Sequence, residues 1–200
     1  IVIIITVFFG SNQLVPAYID EDDLGGEWTE DISAKSGGSQ LLGLEKWSTF
    51  TYKINDSHPA YIKIITYKLL FMWSEEQLLN KLIELIETSI SDGIEINLNS
   101  KVLGERVISK GHLTQYVTYN GNNTSRDPIE KIKIIGEAWN CPKSGTSILC
   151  IGVAQITDNK NGDSTTYLNH WSEIVKDKEG TFGSQDSEGG LIFNIKCHNN

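Results

Sequence analysis

The chain has 200 residues, of which 39% are hydrophobic, enough for one domain with a complete core. A net charge of −9 argues against nucleic acid or an anionic membrane as the main partner, because both are bound through basic surface. Three cysteines make an odd count, so any intrachain pairing leaves one thiol over.

Residues 1–9, Ile-Val-Ile-Ile-Ile-Thr-Val-Phe-Phe, are almost wholly apolar and begin without Met or a basic segment. The run is far short of the ~20 residues a membrane helix needs, and it fits the apolar region of a secretory signal. Val15-Pro16-Ala17 offers a small residue at the cleavage position and a compatible residue two before it, for cleavage between Ala17 and Tyr18. Residues 1–17 are therefore expected to be a signal peptide truncated at its N-terminus. The mature chain would have no stable membrane span and would be secreted or held in the cell envelope. Residues 18–43 carry Asp20, Glu21, Asp22, Asp23, Glu27, Glu30 and Asp31, with Gly25, Gly26, Gly37 and Gly38 among them, which reads as a flexible acidic leader. A single domain is expected over 44–200.

Within that domain, Trp47 to Ile54 and Tyr61 to Phe71 alternate as strands around the turn Asn55-Asp56-Ser57-His58-Pro59. Ser74-Glu75-Glu76-Gln77 is a capping box, with Ser74 as N-cap and Gln77 three residues on. The helix after it runs to about Ile90 and carries one apolar stripe that includes Leu78, Leu82 and Ile86. Strands are expected at Ile94–Leu98, Arg106–Ser109 and Leu113–Tyr119, with a bend at Gly104 and a turn at Lys110-Gly111. Lys131–Cys141 and Ser147–Ile156 follow as the arms of a hairpin, the second apolar on both faces as a central strand should be. A second helix is expected from Asp163 or Ser164 to about Lys178, with Trp171, Ile174 and Val175 inward. A last strand is expected at Leu191–Cys197, putting the Cys197 thiol in the core.

The hairpin organises the rest. A two-residue Gly145-Thr146 turn of type II′ would place Cys141 opposite Cys150 as a non-hydrogen-bonded pair. Cα atoms in such a pair lie ~4.5 Å apart, within reach of a disulfide. A structural Cys141–Cys150 disulfide is the leading reading, beside two reduced core thiols or a metal or redox site.

No phosphate-binding glycine loop, dinucleotide fingerprint, G-x-S-x-G or H-E-x-x-H motif is present. His58, His112, His170 and His198 are scattered. His170 stands three residues before Glu173, a spacing that could hold a metal but also suits a surface pair. Cys197 and His198 adjoin in the expected strand, where alternation would point them to opposite faces. The turn 158–163 departs from a calcium loop, since Thr157 and Leu168 would fill its end positions. Asn55, Asn122 and Asn123 match the N-glycosylation sequence pattern and are expected in loops.

The order of elements, with "SKVLGERVISKGHLTQYVTYNG" and "KIKIIGEAWNCPKSGTSILCIGVAQI" between two helices, resembles the PsbP-like superfamily over residues 44–178. The resemblance implies an α/β/α sandwich, non-photosynthetic exported relatives, and action by binding proteins. The fold expected is therefore α+β, an antiparallel sheet covered by two helices. The function expected is that of an exported non-enzymatic domain, without a cofactor, binding a protein or cell-envelope component. One alternative is a metal- or small-ligand-binding module using the acidic leader or the 158–163 turn. Another is a hydrolase or redox enzyme with a dispersed site, gathering Glu137, His112 or His170 near a cysteine.

Overall fold

The computed structural model describes residues 13–89, 93–160, 163–182 and 188–198. The apolar run 1–9 lies outside them. The strands are β1 (Thr29–Glu30), β2 (Ser36–Gln40), β3 (Glu45–Ile54), β4 (Ala60–Lys68), β5 (Ile94–Val107), β6 (Leu113–Asn123), β7 (Glu130–Cys141), β8 (Thr146–Gln155), β9 (Thr157–Lys160) and β10 (Asp163–Thr166). The helices are α1 (Glu75–Ser89) and α2 (Asn169–Val175). Eight strands form one sheet in the order β1-β3-β4-β8-β7-β6-β5, with β2 also on β3, and every pairing is antiparallel. The meander β5–β8 returns its last strand to the β3–β4 hairpin, so β8 lies at the centre. Every residue of β8 is buried, as its two apolar faces require.

This overturns the expected class. The chain is mostly β, 47% strand against 20% helix, and is not an α+β, PsbP-like α/β/α sandwich with two helices covering a sheet. Two physical reasons account for it. The strands run on through signals read as breaks: β5 is 14 residues long and passes through Gly104. The expected second helix also loses half its length, because Asp163–Thr166 pairs back on Thr157–Lys160 and leaves only seven helical residues.

The first helix stands as read. Ser74 Oγ accepts the Gln77 amide and Gln77 Oε1 accepts the Ser74 amide, the reciprocal capping box. Leu78, Leu82 and Ile86 are fully buried on one face of the sheet, against Ile134, Ala138, Leu149 and Val117. That face has room because β7 carries Gly136 there: a Cβ would fall 2.5 Å from Ile86 Cδ1. On the opposite face α2 sits over Gly152, where a Cβ would fall 2.8 Å from Ile174 Cγ2.

The rest of that second face is covered by irregular chain from both ends of the described sequence. Ala17, Ile19, Trp28, Leu191, Ile192, Ile195 and Cys197 all enter its core. The stretch 18–43, expected as a flexible leader, is part of the fold: β1 and β2 pair with β3, and Trp28 is buried with its indole N–H on Glu173. Residues 191–197 are no strand. Ile192–Asn194 is a turn of 3-10 helix, and only Lys196 pairs, with Tyr18, through two backbone hydrogen bonds of 3.0 and 2.8 Å.

Candidate metal centre

The β7–β8 register corrects the disulfide expectation. Cys141 pairs with Thr146, and Cys150 pairs with Glu137. The turn is the four-residue loop Pro142–Gly145, closed by the Gly145 amide on the Cys141 carbonyl, with Gly145 left-handed at φ 64°. Pro142, which cannot donate to a ladder, is thereby removed from the arm and placed in the turn. A shift of four residues preserves the faces, so Cys141 and Cys150 point the same way but stand four cross-strand pairs apart. Both are free thiols, as is Cys197.

Cys141 has other neighbours. Extending the β6–β7 register past Gln115↔Ala138 brings His112, in the β5–β6 turn, opposite Cys141. The left-handed residues Lys110 and Gly111 reverse the chain there, and the Ile108 amide closes the turn on the His112 carbonyl. The C-terminal segment delivers Cys197 and His198 to the same corner. Cys141 Sγ lies 3.2 Å from His198 Nδ1, and Cys197 Sγ lies 3.2 Å from His112 Nε2 and 3.5 Å from His198 Nδ1. The ligating atoms of all four residues fall within 4.8 Å of one another. A tetrahedral zinc site with usual bond lengths has S···N edges of about 3.6 Å, so small movements convert this cluster into one. Both cysteines are buried and both imidazoles are half-buried.

The electrostatics favour one deprotonated sulfur, Cys141, beside a neutral His112. A hydrogen bond from Cys197 outweighs burial and, with help from Ser144 and His198, holds the Cys141 thiol down at about 4. Cys197, the donor of that bond and itself buried, is pushed up. Burial holds His112 below the ordinary histidine value. Cys150 is a different thiol. It is wholly buried, and burial with the facing Glu137 carboxylate pushes it well up, which suits an inert core side chain.

The expectation that Cys197 and His198 face apart fails because the chain there is not extended. Conversely, the buried state expected for Cys197 is found. No spacing rule could have found the cluster, since its ligands come from residues 112, 141 and 197–198 and only the Cys-His dipeptide is local.

The remaining candidates are dispersed. Glu137 is fully buried but serves Arg106: Nε and one terminal nitrogen of the guanidinium hold both its oxygens at 2.7–3.2 Å, and the Thr114 hydroxyl donates to Oε1. His170 does meet Glu173, 3.0 Å from Nδ1, but it is buried rather than on the surface. Glu137, His112 and His170 are not assembled into one site: only His112 reaches the Cys141–Cys197 corner, while Glu137 faces Cys150. Ala17, expected to end a cleaved signal, is buried with its amide on Thr66 Oγ1, and Tyr18 is the residue paired to Lys196. Asn55 is exposed outside any element, whereas Asn122 and Asn123 end β6 opposite Glu95 and Ile94 instead of lying in a loop. Asn123 Oδ1 accepts from the Ser125 amide and hydroxyl. No helix among the described residues is long and apolar enough to cross a membrane. No family model, curated protein or solved structure matches the chain.

Proposed function

We propose that this protein is a metal-binding β-domain whose centre, Cys141, Cys197, His112 and His198, holds a zinc ion. The observation that carries the reading is the convergence of two thiols and two imidazoles, from three separate segments, at one corner of the sheet. Thiolate and imidazole ligands favour zinc among the available divalent ions, and four protein ligands fill a tetrahedron. With no position open for a substrate, the metal acts as a clamp instead of a catalyst. It ties segment 191–198, which supplies Leu191, Ile192, Ile195 and Cys197 to the core, onto the ends of β6 and β7. Binding free energy at such a site is folding free energy. The reading keeps the metal-binding alternative raised by the sequence and moves it away from the acidic leader and the 158–163 turn.

The test is metal content and thiol count on the whole chain. Reduced protein should take up one zinc at this site. Cobalt in its place should give the absorption of a tetrahedral thiolate site, abolished by Cys141→Ser and by His112→Ala. Failure of the reduced chain to bind either metal, with Cys141 and Cys197 recovered as a disulfide, would overturn the proposal.

A further inference from the structure

A second group of ligating side chains lies on the same face, away from the cysteines. His170, on α2, is buried, and its Nε2 is 3.0 Å from Asp56 Oδ2 and 3.3 Å from the Tyr167 hydroxyl. Ligating atoms of Glu27, Asp56 and His170 all fall within 4.8 Å of one another. The other ring nitrogen, Nδ1, is 3.0 Å from Glu173 Oε2, and that same oxygen accepts the Trp28 indole N–H at 2.9 Å. With the proton on Nδ1 held by Glu173, Nε2 would present its lone pair toward Asp56 Oδ2, the orientation used by metal-binding histidines. Asp56 is held as well, since its other oxygen accepts the His58 amide at 2.7 Å and leaves Oδ2 to face the imidazole.

We propose that Glu27, Asp56 and His170 form a second divalent-metal site, with Glu173 as positioning residue. Two carboxylates and one imidazole suit a harder ion than the cysteine centre does, of the manganese or iron(II) kind. Three protein ligands leave coordination positions open. Glu27 and Glu173 also line a cavity of about 300 Å³ with Trp28, Gly190, Leu191 and Asn194. A small oxygen-donor ligand in that cavity would reach a metal held by Glu27. The two centres therefore differ in kind: one closed and sulfur-rich, the other open and oxygen-rich.

Manganese is the probe. Titrated into the zinc-loaded chain, it should bind once and broaden the His170 ring resonances. Asp56→Asn keeps an oxygen for the His58 amide and removes only the ligand charge, and Glu27→Gln alters an exposed side chain, so both variants should fold. Each should weaken manganese binding at least about 10-fold, and Glu173→Gln should weaken it about 10-fold without touching a ligand atom. Zinc content of the cysteine centre should be unchanged in all three, which separates failure here from failure of the zinc reading. Manganese affinity unaffected by Asp56→Asn and Glu27→Gln would overturn the site. So would an absence of binding with His170 protonated on both nitrogens, a plain ion-pair clamp.

Discussion

Among individual residues, Glu137 holds a buried ion pair within the sheet. It and Arg106 are almost fully buried, and the guanidinium also lies 5.0 Å from the Phe182 ring, which roofs the pair. Removing one partner strands the other charge, so Glu137→Ala should cost about 3–5 kcal/mol in denaturant unfolding. The double change Arg106→Met with Glu137→Leu should cost less than either single change. A single Glu137→Ala loss below about 1 kcal/mol would sink this account.

Asp177 is a second anchor of the same face. Its Oδ1 accepts the Glu179 and Gly180 amides, and its Oδ2 accepts the Phe182 amide and the Trp171 indole N–H. Burial opposes the charge, but these donors outweigh it and hold the carboxyl below its usual value. A depressed folded pKa gives stability that is present above the unfolded value of 3.8 and lost as pH falls through the folded one. Unfolding free energy measured between pH 5 and pH 2 should therefore fall less steeply in Asp177→Asn than in the native chain. Neither Asp177 nor Arg106 could be singled out in the sequence. Their partners lie on other elements or in an irregular loop, and a buried charge leaves no periodic trace.

Among elements, the two faces of the sheet are set by two glycines. Gly136 under α1 and Gly152 under α2 each let a helix approach to contact distance. Gly136→Val should overpack Leu82 and Ile86 and cost about 1–3 kcal/mol, read as a fall in thermal midpoint. Recovery on adding Leu82→Ala would assign the loss to that contact. The α1 cap and stripe were legible because they are local: a reciprocal Ser–Gln pair and a 3.6-residue period. Hairpin register was not. Gly145 fits either a two-residue or a four-residue turn, and both put Cys141 and Cys150 on the same face. The choice rested on Pro142, which belongs in the turn. Segment 191–197 misled for the opposite reason, since Leu191, Phe193, Ile195 and Cys197 alternate as a strand would but, among the described residues, have only Tyr18 to pair with. Without a neighbour to complete a ladder, a period of two is not enough.

Across the whole molecule, strand positions were largely readable and the architecture was not. Alternation located most of the sheet, yet β5's continuation through Gly104 and the β9–β10 hairpin depend on partners distant in sequence or on turn geometry. Zinc should act on the molecule as a whole. At a free concentration 1,000 times Kd it would add about 4 kcal/mol to stability. Chelation should therefore lower the thermal midpoint and speed amide exchange first in residues 191–198, where the clamp holds. Loss of protection spread evenly over the sheet instead would mean that the metal does not fasten this segment.

The backbone pairing of Tyr18 with Lys196 has a consequence for the order in which the chain is made. Tyr18 is synthesised about 180 residues before its partner Lys196. The apolar face of β3, β4 and β8 is only partly covered until then, by the 17–28 segment and α2. The sheet can pair strand by strand as it emerges, with β8 joining β4 only after an excursion of some 80 residues, but the native state closes in one late step. A nascent chain stalled before residue 191 should remain protease-sensitive and prone to association, however complete its strands.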